Sequence, residues 1–125
     1  MKILLVDDSI LIRNIEKRVL TAIGGEFTEA SDGVEAMSAI NAGSTFDLML
    51  IDWNMPNMDG ITLVGHIRAK DPKTPMIMVT TEAEKSRIVE AIKAGVNNYV
   101  LKPFTPQMLM EKVTQTLDRL KAAAA

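Results

Sequence analysis

The chain contains no cysteine. Disulfides and thiolate metal sites are therefore excluded, and a reducing compartment is compatible with the composition. Histidine occurs once, at His66. It falls in a helical pattern, away in chain order from the acidic positions discussed below, and reads as a helix-surface residue. Long apolar runs are also missing. The longest near the start, Ile3 to Val6, is far too short for a signal peptide or a membrane span. No basic run marks a nucleic-acid footprint, because the net charge is -2 and the signs are mixed. No internal repeat, linker or second domain is visible. These absences lead us to expect a cytoplasmic protein with no membrane or nucleic-acid partner.

What remains is ample core material. Hydrophobic residues make up 47 % of 125 residues, enough for one domain without staples. Strand-like and helix-like patterns alternate throughout. Ile3–Val6, Phe27–Ala30, Phe46–Ile51, Pro75–Thr80 and Tyr99–Leu101 read as strands, most of them continuous apolar runs of the kind buried on both faces. Between them lie helical patterns. Leu11, Ile15 and Val19, with Ile12 and Leu20, form one apolar stripe, and Ser9 is a plausible N-cap. Val34, Met37 and Ile40 mark a second helix after the Asp32-Gly33 turn signal. Ile61, Leu63, Val64 and Ile67 mark a third, Ile88, Val89 and Ile92 a fourth, and Leu109, Val113, Leu117 and Leu120 the last. Gly24-Gly25, Asp71-Pro72 and Gly95 are stop signals. Five β/α units with short connections imply an α/β fold: a five-stranded parallel sheet, doubly wound, (βα)5. Residues 1–121 are expected to form one domain, and the low-complexity Ala122–Ala125 to extend the last helix or fray.

The polar residues that end the apolar runs carry the chemistry. Asp7 and Asp8 end the first, Asp52 the third, Thr80 the fourth, and Lys102 the fifth. Singly, each has an ordinary explanation: an Asp caps a turn, a Lys is solvated, a Thr closes a strand. In a parallel sheet they would all meet at the carboxyl edge, where open α/β sheets bind ligands. Carboxylates that close together repel unless a cation neutralises them. Oxygen ligands without His or Cys suit a hard ion, and Mg²⁺ needs only one or two carboxylates. Lys102 precedes Pro103, and a cis bond there would turn the lysine inward, toward Asp52. The nine Met residues are read as core filling in the main.

The sequence resembles the receiver domains of response regulators, and within them the CheY-like, stand-alone chemotaxis branch. The segment Asp52-Trp53-Asn54-Met55-Pro56-Asn57-Met58-Asp59-Gly60 and the triplet Lys102-Pro103-Phe104 carry the resemblance, which spans essentially the whole chain. It implies a flavodoxin-like receiver fold and a signalling switch rather than a metabolic enzyme, with only self-catalysed phosphoryl transfer and dephosphorylation. It implies that Asp52 accepts a phosphoryl group and that Asp7, Asp8, Asp52 and the Asn54 carbonyl hold Mg²⁺, with Asp8 the more direct ligand. Lys102 would contact the phosphoryl group, and Thr80 and Tyr99 would form the switch. Asn54 and Glu82, each two residues beyond a site residue, would tune loss of the phosphoryl group. Thr81 is a mild departure, since a smaller residue is usual there. Implied partners are a CheA-like histidine kinase, a flagellar motor switch protein and a phosphatase, with the protein a monomer. A phosphorelay intermediate, a twitching-motility regulator and a small Mg²⁺-dependent phosphatase are the alternatives.

Overall fold

Each apolar run becomes a strand, and each helical pattern a helix. The computed structural model describes residues 1–124. The elements are β1 (Lys2–Val6), α1 (Ile10–Leu20), β2 (Glu26–Ala30), α2 (Gly33–Asn41), β3 (Leu48–Ile51), α3 (Gly60–Lys70), β4 (Met76–Thr80), α4 (Lys85–Ala94), β5 (Asn98–Leu101) and α5 (Pro106–Ala124). The five strands form one parallel sheet in the order β2-β1-β3-β4-β5. The chain leaves β1 for β2 on one side and returns to β3 on the other. The carboxyl ends of β1 and β3 therefore flank the point where the winding reverses, the crevice that doubly wound sheets use for ligands. Ala122–Ala124 continue α5; Ala125 lies outside the described residues.

Alternation along the strands builds two cores. Ile3 and Leu5 face one side, with Leu20 of α1 and Leu109 and Val113 of α5. Leu4 and Val6 face the other, with Ala36 of α2, Leu63, Val64 and Ile67 of α3, and Ala91 of α4. Because both faces are covered, the central strands are apolar without a break, and β3 and β4 are buried at every position.

Local capping fixes where three helices begin. The Ser9 hydroxyl accepts from the Ile12 amide at the start of α1. Asp32, expected only as a turn residue, caps α2 by accepting from the Glu35 amide at 2.8 Å. Asp59 does the same for α3, accepting from the Thr62 amide at 2.9 Å. Each supplies an acceptor that a helix start otherwise lacks.

Two helices are phased differently from expectation. On α1 only Glu16 and Leu20 are buried, while Ile12, Ile15 and Val19 are half-buried and Leu11 is 66 % exposed. The core thus meets the Leu20 edge of the apolar stripe rather than its centre, and a carboxyl occupies the other buried position. On α4 the inward residue is Ala91, and Val89 and Ile92 are exposed. A helix over the edge of the sheet buries a narrow strip, which a small side chain fills. A 3-10 turn, Thr21–Ile23, precedes the left-handed Gly24 that ends this connection. Strand β3 begins at Leu48, two residues later than expected, because the Asp47 carboxylate accepts from the Lys2 amide and Phe46 stands outside the ladder.

Candidate functional site

Backbone hydrogen bonds carry the sheet ladder one residue past each strand and so anchor the polar residues. The Asp7 amide donates to the Ala30 carbonyl, the Asp52 amide to Val6, and the Lys102 amide to Thr80. Asp7 and Asp52 thereby stand side by side, since Val6 and Ile51 are register partners. Lys102 reaches across from β5 by its side chain.

Its ammonium donates to Asp7 Oδ2 at 2.7 Å and to Asp52 Oδ2 at 3.1 Å. The other Asp7 oxygen accepts from the Ser9 amide at 2.9 Å. The other Asp52 oxygen accepts from the Asn54 amide at 3.4 Å. Carboxylate oxygens of Asp7, Asp8 and Asp52 lie within 4.8 Å of one another. Asp7 and Asp52 are buried, whereas Asp8 is exposed. Asp7 has both oxygens engaged by the protein; Asp8 faces water.

Burial pushes the Asp7 carboxyl above its ordinary range despite the hydrogen bonds from Lys102 and Ser9. For Lys102, burial alone would lower the ammonium, but the Asp7 bond and the Asp52 charge outweigh it and hold the group above its usual value. The lysine is firmly cationic. Three carboxylates against one ammonium leave an excess of negative charge, which a divalent cation would neutralise. The donor set fits a hard, oxygen-preferring ion: it is all oxygen, partly open to water, and contains no sulfur or imidazole.

The switch and tuning positions lie at the next strand ends. Thr80 is fully buried, and its hydroxyl oxygen accepts from the Glu82 amide at 3.4 Å. The Asn54 side-chain amide donates to Glu82 Oε1 at 3.1 Å, so these two residues meet at the mouth of the site. The Tyr99 hydroxyl donates to the Glu82 carbonyl at 2.7 Å. Burial, with the Glu82 and Asp52 charges, pushes that phenol up to about 12, so it remains a donor. Trp53 is buried beside Asp52, with the Arg87 guanidinium 5.1 Å from its ring centroid. His66 is exposed on α3. The Lys102–Pro103 peptide is cis.

Sequence reasoning missed three contributors. Ser9 was read only as a cap, yet its amide also holds Asp7. Arg13 Nη1 donates to the Asp7 carbonyl, and its Nε pairs with Glu29 at 3.0 Å. Glu16 is buried on the inner line of α1. The i, i+4 alignment of Ile12, Glu16 and Leu20 was the available signal for it.

A lysine bridging two buried aspartates, with a third aspartate open to water, at the winding reversal of a parallel (βα)5 sheet defines a receiver domain. The comparisons agree. The response regulator receiver domain family matches residues 3–114. Chemotaxis protein CheY1 of Helicobacter pylori is 47 % identical over 120 residues, covering 94 % of this chain and 97 % of that protein. Chemotaxis protein CheY of Pseudomonas aeruginosa is 46 % identical over 123 residues, covering 96 % and 98 %. The crystal structure of a CheY-like receiver domain protein from Methanospirillum hungatei superimposes with a TM-score of 0.89 at 32 % identity, covering 98 % of this chain and 97 % of that one. The chain belongs to the response regulator receiver family, as a CheY-like signalling switch. Among the described residues no helix is long and apolar enough to cross a membrane.

Proposed function

We propose that this protein is a stand-alone receiver, built from residues 1–121, that takes a phosphoryl group on Asp52 from a CheA-like histidine kinase in the cytoplasm. In its phosphorylated form it binds a flagellar motor switch protein. The observation that supports this reading best is Lys102 held between Asp7 and Asp52, with the Asp8 carboxylate alongside. Asp7, Asp8, Asp52 and the Asn54 carbonyl would hold Mg²⁺, which when bound supplies positive charge against the transferring phosphoryl group.

The residues of the chain account for the rest. An Asp52 oxygen attacks phosphorus in line, so a P–O bond forms as the P–N bond of the donor phosphohistidine breaks. The electron pair leaves with the imidazole, which is protonated by solvent. Lys102 neutralises the acyl phosphate, and burial of Asp52 limits access of water. Asn54 and Glu82 lie where a hydrolytic water would enter, and so set the lifetime. The Thr80 hydroxyl and Tyr99 report the new oxyanion to the surface around α4 and β5.

Phosphorylation by a small phosphodonor in Mg²⁺, read by intact-protein mass spectrometry, tests the assignment. Asp52→Asn should abolish the added phosphoryl mass, and Asp8→Asn should slow its appearance. Undiminished phosphorylation of the Asp52→Asn protein would overturn the acceptor assignment.

A further inference from the structure

Among the described residues, Glu16 is a buried acid that neither the mechanism above nor a helix cap uses. It is 1 % exposed, and its Oε1 accepts no hydrogen bond. A buried carboxyl without a partner is costly, and a core leucine or isoleucine would fill the same place without that cost. Its direction is informative. Helical side chains lean toward the helix N-terminus, and the N-terminus of α1 lies at the carboxyl edge of the sheet. That lean carries the Glu16 carboxyl from the buried side of α1 toward the edge where the acidic cluster stands.

The charges that act on it are consistent with that direction. After burial, which pushes its carboxyl well above the ordinary range, come Asp7 from β1 and Lys102 from the β5–α5 connection, then Asp52 from β3 and Arg13 on α1 itself. Asp7 and Asp52 oppose its ionisation, while Lys102 and Arg13 favour it. Arg13 is already committed to Glu29 and the Asp7 carbonyl. Lys102 is not fully committed. An ammonium has three donors, and two of them serve Asp7 and Asp52.

We propose that Glu16 is a positioning residue for Lys102: the interior carboxyl that receives the ammonium when a cation draws on the Asp7 and Asp52 oxygens. The inference rests on the reading of Asp7, Asp8 and Asp52 as the cation site. Lysine and cation compete for the same oxygens. A buried carboxyl with a free oxygen lowers the cost of that exchange and keeps the ammonium beside Asp52, where the phosphoryl group will arrive. A residue at a core position thus favours metal binding at the expense of fold stability.

Calorimetric Mg²⁺ titration and thermal melting of wild type, Glu16→Gln, Glu16→Leu and Asp8→Asn test it, with the Lys102 ammonium resonance followed by NMR. Glu16→Leu should melt higher yet bind Mg²⁺ roughly three- to tenfold more weakly, as expected for loss of part of one charge-assisted hydrogen bond. Glu16→Gln keeps an acceptor oxygen and should bind nearly as wild type. The Mg²⁺-induced shift of the Lys102 resonance should persist in Glu16→Gln and disappear in Glu16→Leu. If Glu16→Leu does not fold, Glu16→Met supplies the same comparison. An apolar variant that binds Mg²⁺ with wild-type affinity and keeps the Lys102 shift would overturn the inference while Asp8→Asn still loses binding. Unimpaired binding by Asp8→Asn would overturn the site reading, and the inference with it.

Discussion

At the scale of single residues, Thr80 separates acceptance of a phosphoryl group from its transmission. Its hydroxyl is buried and touches the Glu82 amide, not Asp52 or Lys102. Removing it leaves the lysine bridge and the carboxylates intact. Thr80→Ala should therefore accept phosphate at close to the wild-type rate but fail to hold the activated arrangement. One charge-assisted hydrogen bond is worth roughly 1.5–3 kcal/mol, and each 1.4 kcal/mol is about tenfold in a population ratio. Amide NMR spectra with beryllofluoride are the check. Resonances of α4 and β5 should move most of the way to the activated positions in wild type, and only a small fraction of the way in Thr80→Ala. A full shift in the variant would assign the switch to other residues.

At the scale of elements, the join between β3 and α3 is the tightest place in the site. Gly60, the first residue of α3, donates its amide to the Trp53 carbonyl at 2.8 Å. A Cβ at Gly60 would stand 2.1 Å from the Asp52 carbonyl oxygen and 2.9 Å from the Trp53 Cα. Both neighbours are backbone, so neither can rotate away. Gly60→Ala should cost about 1–3 kcal/mol in a urea unfolding curve, the usual range for overpacking. It should also slow Asp52 phosphorylation, since relief of the clash must displace the acceptor's own peptide. Wild-type stability would contradict the close approach. The element scale is also where sequence and structure part. The apolar runs were legible because two-sided burial demands unbroken hydrophobicity, and that placed Asp7, Asp52, Thr80 and Lys102 at one edge. The phase of α1 was not legible, because Glu16 replaces the apolar residue that would have marked its inner line. The outward apolar residues of α4 were misjudged for a related reason: periodicity reports that a helix has an apolar side, not that the side is covered. The Asn54–Glu82 contact joins two loops, and no local pattern predicts its geometry.

At the scale of the whole molecule, ionisation acts on stability in two directions. The carboxyls of Glu29, Asp32 and Asp71 are held below their ordinary values: Glu29 by Lys17 and Arg13, Asp32 by the Glu35 amide and Asn57, and Asp71 by Thr74 and Lys73 against its own burial. Their contribution is present above the unfolded pKa values near 4 and is lost as pH falls through the folded ones. Asp7 and Glu16 are raised, chiefly by burial. Their folded forms retain protons longer, so that contribution is complete below the unfolded values and is lost as pH rises through the folded ones. Urea unfolding without metal should show greatest stability in mildly acid solution and a decline toward neutrality. Glu16→Leu should flatten the decline, and an equally steep one in that variant would assign it elsewhere. The lysine bridge has a different consequence for the molecule as it is made. Lys102 and Asp7 are 95 residues apart in the chain, yet form the shortest ion pair of the site. A nascent chain that has not yet extended through β5 carries the aspartates without their counter-charge. The acceptor is thus completed near the end of translation, and a chain released early cannot report a signal it never received.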